Sequence, residues 1–212
     1  MNLLLNSVIV VATVLGSWMA FPQARRIART RRVDGVSATC IGVSLGINGW
    51  WLTYGLAAGL WAVVPVSIVS LVLYAVMAWF FLATVGRAGV AGVALGAFGL
   101  GMIPLPFLVV GGWELAGVAV GLSYGVQLLP AVVASLRTSV LAGVSSATWI
   151  IALVESGLWF GYGLGVHDTA LTLAGVVGTV MASVILTRLA ITGHRPFVVL
   201  DPRRRLELAP AA

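Results

Sequence analysis

The chain is a succession of long apolar runs separated by short polar clusters. Leu3 to Phe21 forms the first run, and Pro22 is expected to end it. Ser37 to Val85 then continues for 49 residues without a charge. At about 1.5 Å per residue this run would make about 70 Å of helix against roughly 30 Å of hydrocarbon, so it must fold back once. The turn is expected at Gly59-Leu60, with the second span ending near Ala57 and the third beginning near Trp61. After Arg87, Ala88 to Leu136 is again too long for one crossing and holds a single charge, Glu114. Gly111-Gly112 supplies the turn there, leaving Ala88 to Val110 as a fourth span. A sixth span is expected at about Val144 to Val166 and a seventh at about Thr169 to Thr187, with His167-Asp168 as the polar break between them.

The pattern repeats at an offset of 108 residues, the difference between Trp159 and Trp51. Pro22, Arg29, Thr30, Gly35, Val36 and Ser37 fall on Pro130, Arg137, Thr138, Gly143, Val144 and Ser145. Without a gap, Gly49, Trp51, Tyr54, Gly55 and Leu56 then fall on Gly157, Trp159, Tyr162, Gly163 and Leu164. Three spans reverse the direction of the chain, so a second copy in the same orientation needs one further crossing. The expected fold is therefore an all-α membrane protein of seven helices, arranged as three, one and three. Residues 1–86 and 113–192 form the two repeats, 87–112 the linker helix, and 193–212 a tail. Parallel repeats of this kind are related by an axis along the membrane normal, with the site between the two units.

Composition agrees. The chain is 60% hydrophobic and 8% charged, with a mean hydropathy of +1.09, whereas a soluble domain carries about 25% charged residues. A net charge of +6 raises the question of nucleic acid. All twelve basic residues are arginines clustered between apolar runs, without interleaved aromatics, so they read as topology signals. Alternate assignment of loops puts Arg25, Arg26, Arg29, Arg31, Arg32, Arg87, Arg137, Arg188 and the tail arginines on one side and none on the other. The positive-inside rule then places the N-terminus outside and the C-terminus in the cytoplasm. Cys40 is the only cysteine, which excludes an internal disulfide, and no zinc or redox motif is present. The first run lacks a basic leader, so it is expected to be retained.

Pro22-Gln23, Thr30, Gly35-Val36-Ser37 and Trp51-x-x-Tyr54-Gly55 resemble the PQ-loop superfamily, and within it the SWEET and SemiSWEET sugar transporters. The second copy keeps Pro130, Thr138, Gly143-Val144-Ser145 and Trp159-x-x-Tyr162-Gly163 but has Ala131 where the family often has Gln. The resemblance spans roughly residues 5 to 190. It implies two three-helix bundles enclosing a central path, and facilitated, bidirectional passage of sugars. It also implies a pocket tryptophan at Trp51 and Trp159. The family places an Asn sixteen residues after each; here those positions are Ser67 and Gly175, which cannot reproduce an amide's donors and acceptor.

Asn48 and Ser156, three residues before each Trp, are candidate replacements, because side chains three apart are neighbours on a helix. Asn48 could equally tie helices together. Glu155 lies mid-span on the face of Trp159 and Tyr162. A carboxylate in hydrocarbon costs at least ~2.5 kcal/mol, so it is expected to meet a wet cavity or take a proton. Pro22 and Pro130 weaken the helix four residues back and read either as paired hinges, with Gln23 bonding freed carbonyls, or as helix ends. Tyr54 and Tyr162 narrow an external mouth or anchor at headgroups.

Three functions fit. The first is a SWEET-like uniporter of sugars or similar small polar solutes, in a multi-pass plasma (inner) membrane setting. The second is a proton-linked carrier of amino acids or another solute, using Glu155. The third is a PQ-loop receptor or structural protein that moves nothing. No catalytic constellation is evident, so an enzyme is not expected, nor is a cofactor or metal. The expected partners are a small solute, a sugar first, and the lipid bilayer; one chain suffices for one path, and association of copies is left open.

Overall fold

The computed structural model describes residues 3–30, 33, 36–137 and 146–192, and every regular element among them is helical. The long helices are α1 (Leu3–Thr30), α2 (Ala38–Ala57), α3 (Val63–Val85), α5 (Pro104–Arg137), α6 (Ser146–Gly165) and α7 (Thr169–Ile191), with a short α4 (Val90–Ala94) between α3 and α5. Three helical stretches among the described residues are long and apolar enough to cross a membrane: Val63–Arg137, Ser146–Gly165 and Thr169–Ile191. The first is 75 residues long, far beyond the roughly 20 that one crossing needs. Gly86 (φ 70°) interrupts it after α3, and Gly111 and Gly112 (φ 63°) leave helical geometry inside α5. Expectations at Arg31, Arg32, Thr138, Gly143 to Ser145 and the 193–212 tail lie outside the described residues.

The turns have a shared local cause. Gly59 (φ 68°) reverses the chain between α2 and α3, and His167 (φ 55°) does so between α6 and α7. These positions are 108 residues apart (167 − 59). Left-handed backbone suits glycine and strains a β-carbon-bearing residue. Asp168 offsets that strain: its carboxylate accepts the Leu171 amide at 2.8 Å and caps α7.

The same three-helix arrangement occurs twice. α3 lies between α1 and α2, and α7 lies between α5 and α6. Ala24 and Ile27 of α1 pack on Met77 of α3, as Val132 of α5 packs on Ile185 and Leu189 of α7. First and third helices therefore run parallel, while each second helix runs back along the third. The segment between the two groups climbs along α2. Gly92 meets Ala38, Gly96 meets Gly42 and Val43, and Gly101 meets Gly46. Beyond the Gly111-Gly112 break the chain descends, with Gly117 against the Tyr54 ring and Gln127 bonded to Ser44. α1·α6 and α2·α5 contacts close the six long helices into a ring.

Two expectations need correcting. Pro22 does not end the first helix, because α1 continues to Thr30. Proline removes one backbone hydrogen bond, but the turns beyond it bury Ala24 and Ile27 against α3, and that packing holds the helix together. Nor is 88–110 one regular helix. It passes through α4, a π turn at Leu95–Gly99 and a 3-10 turn at Leu100–Met102, before Pro104 opens α5.

Close contact with α6 makes Gly175 a packing position. A β-carbon there would run into the Phe160 backbone. Gly175→Ala is expected to lower thermal stability in detergent by about 1–3 kcal/mol, the usual cost of overpacking. Gly157→Ala, where a β-carbon meets nothing within 4 Å, should leave the unfolding midpoint nearly unchanged.

Candidate functional site

The ring encloses a cavity of about 510 Å³ to which all six long helices contribute. Its lining follows the repeat. The pairs Gly16/Tyr124, Ile41/Trp149, Asn48/Ser156, Trp51/Trp159, Val63/Leu171 and Val66/Ala174 all face it, and the members of each pair differ by 108 in number. The cavity therefore lies on the axis that relates the two groups of helices.

Trp51 and Trp159 stand edge-on to Tyr54 and Tyr162, at 6.2 Å and 80° in one copy and 6.1 Å and 76° in the other. The matching geometry follows from the Trp-x-x-Tyr spacing on a helix, which stacks side chains three apart. Asn48 donates its amide to the Ser44 carbonyl at 2.8 Å, within its own helix. It ties no two helices together and keeps its amide oxygen for the cavity. Ser67 and Ser156 are buried and both line the cavity. The Ser67 hydroxyl has no hydrogen-bond partner in the protein, whereas the Ser156 hydroxyl lies beside the Tyr124 hydroxyl. A buried hydroxyl without a partner costs about 1–3 kcal/mol, so Ser67 is open to a solute or water.

Gly175, expected in the pocket beside Ser67, is not there. It abuts Phe160, and Ala174 faces the cavity in its place. The α6–α7 approach leaves no room for an amide at 175. The two halves of the site thus differ chemically at this level.

Glu155 is 7% exposed and faces the cavity. The Trp159 indole N–H donates to its Oε1 at 3.1 Å, one helical turn away. Gly16 on α1 makes the space for the carboxylate, since a β-carbon there would come within 2.6 Å of Oε1. Among the described residues the lining carries this one carboxylate and no arginine or histidine. Among the described residues no cluster of His, Cys, Asp and Glu is suited to a metal ion.

Several contributors escaped the reading of the sequence. The Gln127 amide donates to Ser44 Oγ at 3.0 Å and to the Tyr74 hydroxyl at 3.2 Å, joining α5 to α2 and α3 across the cavity wall. Tyr124, one turn before Gln127 on α5, also lines the cavity. Polar side chains in the middle of apolar runs were the available signal for all three. Asp168 was passed over as a loop residue. Its Oδ2 accepts the Tyr54 hydroxyl at 2.7 Å, which links α2 to the cap of α7.

The two ends of the cavity differ. At the end of the 58–62 and 166–168 turns, Val63, Tyr162 and Leu171 form a buried cluster, with Trp51, Trp159 and Leu60 against it. Both groups of helices contribute, so that end is sealed. Tyr54 is 7% exposed and Tyr162 3%, which fits a seal and not a headgroup anchor. At the other end, Ser37, Cys40, Pro130 and Ala131 line the cavity and are exposed. Arg29, Arg87, Arg137 and Arg188 end α1, the turn after α3, α5 and α7 at that same end. Pro130 lies inside α5 and Pro22 inside α1; the side chains of Pro22 and Gln23 are not among those described.

The sequence matches no protein-family model and no curated protein.

A double-mutant cycle tests the seal. Tyr54→Phe and Asp168→Asn are each expected to destabilise the detergent-solubilised protein by about 1–3 kcal/mol, the range for a hydrogen bond to a charged group. The double variant should cost little more than the worse single one. Additive losses would show that the two side chains do not act as a pair.

Proposed function

We propose that the protein is a seven-span membrane carrier of small polar solutes. In this reading two three-helix units, joined by the 87–112 crossing, expose a shared cavity to one side of the membrane and then the other. The observation that carries the reading is the cavity itself. It lies on the repeat axis, is closed at one end by residues from both units, and opens at the other. A site between repeated units is how parallel-repeat carriers provide alternating access. The arginine end is cytoplasmic by the positive-inside rule, which puts the N-terminus outside and makes the conformation inward-facing. A plasma (inner) membrane location suits this arrangement. The likeness of the Pro-Gln, Gly-Val-Ser and Trp-x-x-Tyr-Gly motifs to SWEET transporters supports facilitated exchange, with sugars as the first solutes to try.

A second reading, in which transport is linked to protons, has its own support: Glu155 faces the cavity without a basic partner. A neutral pore would have no use for a carboxylate at this depth. A purely structural or receptor role predicts that the cavity never changes the side to which it opens.

Cys40 is a natural reporter, since it is exposed at the cavity mouth and is the only cysteine of the chain. A membrane-impermeant maleimide should label it in inside-out vesicles and spare it in right-side-out vesicles. Tyr54→Phe, which loosens the opposite seal, should slow that labelling by favouring the outward-facing state. Equal labelling from both sides would refute the orientation, and unaltered labelling in the variant would count against alternating access. Entry of labelled glucose into proteoliposomes preloaded with unlabelled glucose tests the sugar reading, with Trp51→Ala/Trp159→Ala as the inactive control.

A further inference from the structure

The contents of the cavity narrow the class of solute. Glu155 is buried to all but 7%, and its hydrogen bond comes from a neutral donor, the Trp159 indole. Among the described residues the lining offers it no cation. Four aromatic side chains, Trp51, Trp159, Tyr74 and Tyr124, line the same cavity. Ring faces attract cations, more strongly once water is excluded. A buried carboxylate without a counter-charge is costly, and a positive solute removes that cost.

Other solutes fit less well. A sugar would meet the amides of Asn48 and Gln127 but would bring no charge to balance Glu155. An amino acid would bring a carboxylate of its own, and among the described residues the lining holds no arginine, lysine or histidine to receive it.

We infer that the cavity binds small organic ammonium ions, with the Glu155 carboxylate as counter-charge, the tryptophan and tyrosine rings as a cage, and a proton taking the cation's place on Glu155 when the cation leaves. This names the substrate class of the carrier proposed above and rests on that reading. The exchange balances: one monovalent cation departs as one proton binds, and the site returns to the same charge. Among the described residues, the groups that line the cavity with Glu155 include no second carboxylate and no imidazole to compete for the proton. α1 presents Gly16, α7 presents Leu171 and Ala174, and α3 and α5 present Tyr74 and Tyr124, phenols that are neutral near pH 7. Cys40 stands at the mouth, and Asp168 is engaged with Tyr54 at the sealed end. An empty cavity at low pH is then a neutral one, able to reorient without a buried charge.

Choline is a suitable probe because its charge does not titrate. The full-length protein in proteoliposomes preloaded with unlabelled choline should take up labelled choline. Tetramethylammonium should inhibit that uptake, and the neutral isostere 3,3-dimethylbutanol should not. Apparent affinity should weaken as pH falls, approaching about tenfold per unit once the carboxyl is largely protonated. Glu155→Gln should abolish uptake while Glu155→Asp retains part of it. An outward-directed proton gradient should slow choline efflux, and an inward-directed one should speed it. Equal inhibition by the neutral isostere would overturn the inference on the wild-type protein alone, whatever the folding of the variants. Glucose exchange without choline exchange would overturn it and leave the carrier reading standing. Exchange of neither, together with Cys40 labelling that never changes side, would remove both.

Discussion

In a bilayer an apolar helix gains nothing hydrophobic by leaving lipid for another helix. Association depends on close backbone contact and a few polar bonds. The glycines of this chain provide the contact. Gly42 and Gly96 face one another across α2 and the connecting segment, Gly121 lies on the Ala170 backbone, and Gly163 and Gly175 bring α7 against α6. The last three approaches hold α7 between α5 and α6, and the first holds the connecting segment on α2. They also determine which side chains are left facing inward. Ser67 lines the cavity; its counterpart Gly175 does not, because α7 has closed on α6 there. Helix spacing thus decides the chemistry of the site before any solute enters.

The repeat and its exceptions have different jobs. Where the copies are alike, as at Trp51/Trp159 and Val63/Leu171, the residues shape the cavity and close its sealed end. Some of the positions where they differ carry charge or polarity. Glu155 stands where the first copy has Ile47, and Gly16, which makes room for it, stands where the second copy has Tyr124. Asp168 stands at the position of Leu60. The carboxylate and its space belong to opposite units, so a shift of α1 against α6 must alter the surroundings of Glu155. Any rearrangement of the two units would therefore be felt at this carboxylate.

Much of this was legible in the sequence for physical reasons. An apolar run too long to cross once must turn, and glycine or a polar pair marks where, so Gly59-Leu60, Gly111-Gly112 and His167-Asp168 were found as breaks. Fixed spacing on a helix made Trp51 with Tyr54, and Glu155 with Trp159, neighbours in advance. Contacts between helices were not legible. Nothing local says that Gln127 reaches Ser44 and Tyr74, or that Asp168 receives Tyr54 from 114 residues away. Pro22 misled because its local cost was weighed without the tertiary packing of Ala24 and Ile27 beyond it. Gly175 misled because alignment with a binding position says nothing of how near the next helix lies.

The seal and the charged site share components, and this constrains how they can work. Trp159 lends its N–H to Glu155 and its ring to the cluster with Val63, Tyr162 and Leu171. Opening the sealed end must move that ring, and moving the ring withdraws the donor from the carboxylate. A bare carboxylate in a low-dielectric cavity either binds a cation or takes a proton. In the proposed carrier, reorientation with the carboxylate occupied would then be favoured over reorientation with it empty and charged. That preference would separate an exchanger from a leak, and its structural basis is that one indole belongs to both the sealed end and the acid.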